Sequence, residues 1–399
     1  MINHNKTLAS CFIGITNQAF LTNITAILVV PFMTLYDFTM AQFGLLIGIN
    51  FASQMIADII LTLFIDKIKY KNIVQFANII SIIGTILFSL SPFIMRENPY
   101  PIILVATIIF AFASGMLEVI LSPITDTIPD DFKNKKSAMS LMHSFYAWGQ
   151  VLCIVYVSLS LTFFGIENWM YIVLATILVP IVCMIMFAST TIVEVRKVEE
   201  VGENKKVLKN PIFFLCAFAI MFGAASEIIM NQYVSSFCEI NLNLSKTMSD
   251  MVGMVLFAVC LGLGRLLFGF LGHKVNIHKV LIISSFMAII CYAIVGGVSN
   301  SIVALIFAIL TGFFVSLLWP GVLGIAGEVF PKAGAWIFSS LAIAGDVGAM
   351  LLPSIAGKVV DNVGFNEMFL VMLFVPILTF ICHITIYAIK IRKKLLTLS

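Results

Sequence analysis

Apolar residues run along this chain in long stretches broken by short polar turns. The pattern predicts twelve helical spans, at about 7–34, 41–65, 73–95, 101–126, 138–163, 169–190, 211–237, 249–271, 278–297, 301–326, 336–358 and 367–389. A helix of roughly 20 apolar residues crosses the hydrocarbon core of a bilayer. It also satisfies its own backbone polar groups, which lipid requires. A charged segment, VEVRKVEEVGENKKVLK from Val193 to Lys209, separates the sixth span from the seventh. The expected organisation is an N-terminal six-helix bundle at 1–192, a linker at 193–210 and a C-terminal six-helix bundle at 211–399. The fold class is an all-α membrane protein with two pseudo-symmetric halves.

Composition agrees with that picture. The 399 residues are 61% hydrophobic and only 11% charged, against about 25% charged in soluble domains. The basic residues are asymmetric: 19 fall in alternate loops and tails on one side, 3 on the other (Arg96, Lys246, Lys358), and Arg265 lies inside the eighth span. By the positive-inside rule both termini are cytoplasmic. The start, MINHNKTLAS, is polar and leads into a span too long for a signal peptide's apolar region, so no cleavable signal is expected. Eight cysteines are scattered with no CxxC pair, which reads as small core residues, with no metal and no cofactor implied. No P-loop, HExxH or GxSxG motif is present, and the glycines of GLGLGRLLFG lie within a span and follow no strand. An enzyme is therefore not expected. The basic tail IKIRKK suits anionic lipid rather than nucleic acid.

The two halves share spacings. Gly14 is followed by Gln18 and Asn23, and Gly223 by Glu227 and Gln232, at the same intervals. The loops after the second and eighth spans also correspond, as FIDKIKYK (Phe64 to Lys71) and GRLLFGFLGHKVNIHK (Gly264 to Lys279). Parallel six-helix repeats suit a carrier whose halves rock about a midplane site. On these features the chain resembles the major facilitator superfamily, whose loop signature is Gly, three residues, Asp-Arg, a residue, Gly, then basic residues. The first copy keeps Asp66, Lys67, Lys69 and Lys71 but has Thr62 for the glycine; the second keeps Gly269 but has His273 and Lys274 for Asp-Arg. The stretch FASGMLEVILSPITD, Phe112 to Asp126, resembles that of fucose permease-type sugar:proton symporters. The resemblance implies that Glu118 is a proton-linked carboxylate. That group has an acidic residue in its first span, where this chain has Asn17, Gln18 and Asn23.

An ionisable group at bilayer depth costs at least about 2.5–3.5 kcal/mol on insertion scales, so each one is a candidate for function. Four are candidates for proton coupling: Glu118, His143, Glu227 and Asp346. Glu118 either carries the proton or ties span four to span one as a hydrogen-bonded carboxyl. Glu227 precedes Asn231 by one turn, with Gln232 nearby, and could share a proton with Asp346. His143 is suited to a relay or to a structural bond with span four. Candidate solute contacts are Gln18, Asn23, Tyr146, Trp148, Asn231, Gln232 and Trp319; the aromatic ones serve equally as helix packing. Asp58 reads as structural. Gate charges are Asp66, Lys67 and Asp126 in the first half, with Arg265 and Lys274 facing Glu328 as their candidate partner in the second. In the family such pairs close the cytoplasmic side.

The leading expectation is a secondary active transporter moving a small polar solute, of sugar type, by proton symport with alternating access. Its partners would be the solute, protons and membrane lipids, with no nucleic acid, and it would act as a monomer in a bacterial plasma membrane. One alternative is a proton-coupled exporter of drugs or metabolites, with the 20 Met and 35 Phe lining a plastic cavity. Another is a membrane sensor that does not transport.

Overall fold

Four prolines set where the spans bend. Proline has no N–H for the carbonyl four residues earlier, and its ring crowds that carbonyl. In the computed structural model, helix α1 (His4–Ile27) ends four residues before Pro31 and α2 (Val29–Tyr36) follows. Helix α7 (Trp169–Ala175) gives way to α8 (Leu178–Ala188) just ahead of Pro180, with Thr176 as the capping residue. Further on, α13 (Ser301–Val315) stops at Ser316 before α14 (Pro320–Val329), and α16 (Phe365–Val371) stops at Met372 before α17 (Phe374–Leu396), which holds Pro376. In all four cases the break begins at or next to the carbonyl that the proline cannot serve. The remaining elements are α3 (Met40–Phe64), α4 (Tyr70–Ile94), α5 (Tyr100–Asp126), α6 (Lys135–Phe164), α9 (Pro211–Leu242), α10 (Lys246–Ser249), α11 (Leu256–Leu271), α12 (Ile277–Gly297) and α15 (Trp336–Val363). A π-helical turn, Asp250–Val255, leads into α11. The structure describes residues 4–38, 40–128, 135–192, 207–242, 244–331, 333 and 336–396.

Among the described residues, ten helical segments are long and apolar enough to cross a membrane, and Gly48–Leu61 is a shorter apolar helix. The ten coincide with the third to twelfth expected spans. The first two fall on α1 with α2 and on α3, where α1 carries Asn17, Gln18 and Asn23 in buried positions. Several helices turn a face of large apolar side chains outward and bring small or polar side chains, among others, inward. On α4 the exposed face is Phe76, Ile79, Ile83, Leu90 and Ile94, while Ala77, Asn78, Ser81, Gly84 and Thr85 are buried. That is the order expected when the surroundings are lipid and close helix approach supplies the packing.

The chain divides into two compact units: Met1–Ile128 with Phe145–Lys197, and Pro129–Ser144 with Val198–Ser399. The expected boundary lies in the linker alone. The first part of α6 nonetheless groups with the second unit, where Ser140 Oγ donates to the Arg265 carbonyl at 2.8 Å and Leu141 lies against Gly269. Each unit repeats the same helix pairings. Gly14 on α1 lies against Leu121 of α5, and Gly223 on α9 against Leu318 at the α13–α14 break. Gly115 of α5 meets α3 at Gln54 and Ala57, and Gly312 of α13 meets α11 at Phe257. In the first unit an aromatic cluster of Phe32, Phe88 and Trp169 packs edge to face, and the Trp169 indole N–H donates to Tyr36 Oη at 3.1 Å. All eight cysteines are free.

These contacts predict a contrast between two glycines. A Cβ on Gly115 would stand 2.6 Å from the Gln54 carbonyl oxygen and 2.8 Å from its Cα, both backbone atoms. Nothing described lies within 4 Å of a Cβ on Gly48. Overpacking of this kind costs about 1–3 kcal/mol. Thermal unfolding of the purified protein in detergent is expected to show a clear drop for Gly115→Val and none for Gly48→Ala.

Candidate functional site

The intramembrane charges of the second unit are drawn together at Arg265. This residue lies on α11 and is only 3% exposed. Its Nη2 donates to both carboxylate oxygens of Glu227 on α9, at 3.0 and 2.8 Å. Its Nε donates to the Ser316 carbonyl at 2.8 Å, and Nη1 to the His143 carbonyl at 3.1 Å. Ser316 is the residue whose carbonyl Pro320 cannot serve, so the guanidinium takes over a main-chain acceptor that the helix break leaves open. Only arginine, with a planar fork of five donors, can reach a carboxylate and two carbonyls at once. Gly264, beside Arg265, lets α11 approach Ser316 closely.

The pairing differs from the one expected, in which Arg265 faces Glu328. Arg265 is buried against Glu227, because an unpaired cation has no stable place among apolar spans. Glu328 is exposed and lies 3.6 Å from Lys390 of α17, whose Nζ also lies 3.0 Å from His278 Nε2. Glu227, for its part, accepts from Arg265 through both of its oxygens. Asp346 is buried on α15, and the adjacent Gly345 makes room for the Trp319 ring. Asn231 and Gln232 are half-buried on α9.

In the first unit the candidates form a ladder between α1, α3 and α5. Gln18 Nε2 donates to Glu118 Oε2 at 2.7 Å. One turn further along both helices, Thr22 Oγ1 and Ser114 Oγ lie 3.1 Å apart. Ser114 Oγ donates to Gln54 Oε1 at 3.1 Å, Gln54 Nε2 to Asn50 Oδ1 at 2.7 Å, and Asn50 Nδ2 to the Leu21 carbonyl at 3.3 Å. This is the hydrogen bond that the structural alternative for Glu118, a tie between span four and span one, called for. Asn23 is buried and bonds its own helix, through Nδ2 to the Ala19 carbonyl at 2.8 Å. Tyr146 and Trp148 are half-buried on α6, and Asp58 is fully buried on α3. Lys67 is exposed, with Nζ 5.3 Å from the Phe64 ring centroid, and Asp126 is half-buried at the end of α5. The Asp66 side chain lies outside the described residues. His143 is buried, and its carbonyl joins the Arg265 node.

Sequence reasoning missed Thr22, Ser114, Gln54, Asn50 and Ser316. Their signal is present in retrospect: Ser114 precedes Glu118 and Thr22 follows Gln18 by one helical turn, so the two pairs meet at two levels. Among the described residues no group of three or more His, Cys, Asp or Glu side chains could hold a metal ion.

Removing one partner of a buried ion pair strands the other and costs about 3–5 kcal/mol. Glu227→Gln and Arg265→Gln are each expected to lower thermal stability in detergent strongly. The double variant should lose much less than the sum, because neither charge is then left alone. Additive losses would show that the pair is not a unit.

Known proteins bear out the architecture. No curated protein sequence matches the chain significantly. Among solved structures, the E. coli fucose:proton symporter FucP, as an alanine variant, matches with a TM-score of 0.76 at 16% identity, covering 95% of this chain and 98% of that one. A structure of FucP in the outward conformation gives 0.77 at 16% identity with the same coverage. The proton:xylose symporter XylE, bound to 6-bromo-6-deoxy-D-glucose, gives 0.74 at 14% identity, covering 95% of this chain and 94% of that one. At such identities the likeness is one of fold. The family model of the Major Facilitator Superfamily matches residues 10–295 and 240–396. With helices that repeat across two units and polar side chains gathered within apolar spans, this chain belongs to the major facilitator superfamily.

Proposed function

We propose that this protein is a secondary active carrier that moves a small polar solute, of sugar type, together with protons. The observation that carries this reading is the hydrogen bond from Gln18 to Glu118 inside the first unit. A neutral amide can serve a carboxyl at membrane depth in either protonation state. Glu227 differs, because the Arg265 guanidinium donates to both of its oxygens. Glu118 is therefore the proton site, and Glu227 with Arg265 is a structural charge pair. Asp346, buried beside the Trp319 ring, is a second titratable candidate, and His143 stands at the Arg265 node.

Solute contacts come from Gln18, Asn23, Tyr146 and Trp148 in the first unit and from Asn231, Gln232 and Trp319 in the second. Hydroxyl groups pair well with amides, and pyranose faces with aromatic rings. Alternating access would expose Glu118 to one side and then the other. Lys67 and Asp126 are suited to gating. The reading places a monomer in a bacterial plasma membrane. The solved symporters FucP and XylE, which resemble this chain in fold, move fucose and xylose with protons.

The test is proton movement in proteoliposomes loaded with a pH-sensitive dye, while a panel of hexoses, pentoses and deoxy sugars is added outside. Acidification of the lumen on adding one sugar is expected. Glu118→Gln should abolish uphill accumulation yet retain exchange of that sugar across the membrane. Proton-driven accumulation that survives Glu118→Gln would remove Glu118 from the mechanism. Silence across the whole panel would overturn the sugar reading in favour of export.

A further inference from the structure

The first unit holds a small cavity whose polar side chains are not those of the ladder. It lies between α1, α4, α5 and the α7–α8 break, with room for about one water molecule. Most of its wall is apolar, with the rings of Phe20, Phe88 and Phe110 among it. Three polar side chains interrupt that wall: Asn17 on α1, Thr85 on α4, and Thr176, which caps α7.

Asn17 is 1% exposed. Its Nδ2 is turned to α4, where it donates to Asn78 Oδ1 at 3.1 Å and lies 3.4 Å from Ser81 Oγ. Its Oδ1 is buried and accepts no hydrogen bond. Such orphans are uncommon, because an amide oxygen taken from water loses its hydration with no return. Turning the amide round offers no remedy. Asn78 Nδ2 donates to the Val74 carbonyl at 2.9 Å and lies 3.3 Å from Cys183 Sγ, and the Ser81 hydroxyl donates to the Ala77 carbonyl at 3.0 Å. Both therefore present acceptors to Asn17, and only its N–H groups can answer them.

Thr85 follows Ser81 by one turn, on the same face of α4. Its hydroxyl can donate and accept. The Thr176 hydroxyl donates to the Val173 carbonyl at 2.6 Å, which leaves its lone pairs to accept. We infer that the cavity is a water-binding site, in which the water donates to Asn17 Oδ1 and Thr176 Oγ1 and accepts from Thr85 Oγ1. Three bonds are what a buried water typically makes.

The chemistry of the wall decides against other occupants. Among the described residues that line it there is no carboxylate, and a cation among aromatic rings with no counter-charge is strongly disfavoured. An apolar molecule would leave Asn17 Oδ1 unpaired. Pro180 borders the same cavity, so the water stands where the sixth span breaks. It joins that break to α1 and α4 through one small molecule that can reorient. Glu118 has no part in this site, which is independent of the transport reading.

The test is a structure of the full protein in lipid, at a resolution that shows ordered waters, with and without xenon. Xenon enters dry apolar cavities. A single-atom peak is expected within hydrogen-bond distance of Asn17 Oδ1 and Thr85 Oγ1, unchanged under xenon. Thr85→Val keeps the shape of the side chain and removes the hydroxyl. It is expected to weaken the peak and to lower the melting temperature. Xenon at this place overturns the inference. Elongated density of a lipid or detergent tail does the same, as does a flat map where buried waters are visible elsewhere. A melting temperature that holds or rises in Thr85→Val also overturns it, because a dry cavity loses nothing when its lining becomes apolar. Should Thr85→Val fail to fold, the xenon comparison on the unsubstituted protein decides alone.

Discussion

A charge inside a lipid-facing bundle has to be answered by other protein groups, and much of the second unit is arranged around one such charge. Arg265 satisfies three acceptors on three segments: the Glu227 carboxylate on α9, the Ser316 carbonyl at the α13–α14 break, and the His143 carbonyl on α6. Water would solvate a guanidinium at any angle. Here the protein must supply each acceptor in a fixed direction, so the positions of those segments are coupled. The proline break at Pro320 becomes tolerable because Arg265 takes the carbonyl it leaves open. The ion pair is kept from being a net burden by its additional hydrogen bonds, which buried pairs require.

The parts of this fold that follow from local rules were legible in the sequence. Hydropathy located the helices, since the apolar run is what lipid selects. The Gly14/Gln18 and Gly223/Glu227 spacing located two equivalent helices, because glycine marks where a neighbour comes close, and both glycines do meet a leucine of the fourth helix of their own half. Proline positions were visible too, and the rule of the carbonyl four residues back accounts for all four breaks. What was not legible depended on which faces of distant helices meet. Arg265 sits close to the basic loop after α11, so position along the chain suggested a gate. Its partner was set by rotation of the helix, with Gly264 turned toward Ser316. Glu328 likewise found Lys390, far along the chain at the tail of α17. Ser114 and Thr22 were overlooked because hydroxyls in membrane helices commonly bond their own backbone, as Thr16 and Thr107 do here.

The two units place different chemistry on matching spacings. Counting four residues from Gly14 gives an amide, Gln18; counting four from Gly223 gives a carboxylate, Glu227. In the second unit the carboxylate is matched by a permanent cation, and protonating it would leave that cation alone in the bundle. In the first unit the acid lies across the helix interface, on α5, and meets the amide. A carrier that couples to protons needs one group free to change charge, and it needs the rest of its polar framework not to change with it. In the proposed function the ion pair of Arg265 and Glu227 belongs to that fixed framework, and Glu118 is the group that changes charge. A single repeated helix plan thus sets an acid opposite Arg265 in one unit and an amide opposite Glu118 in the other.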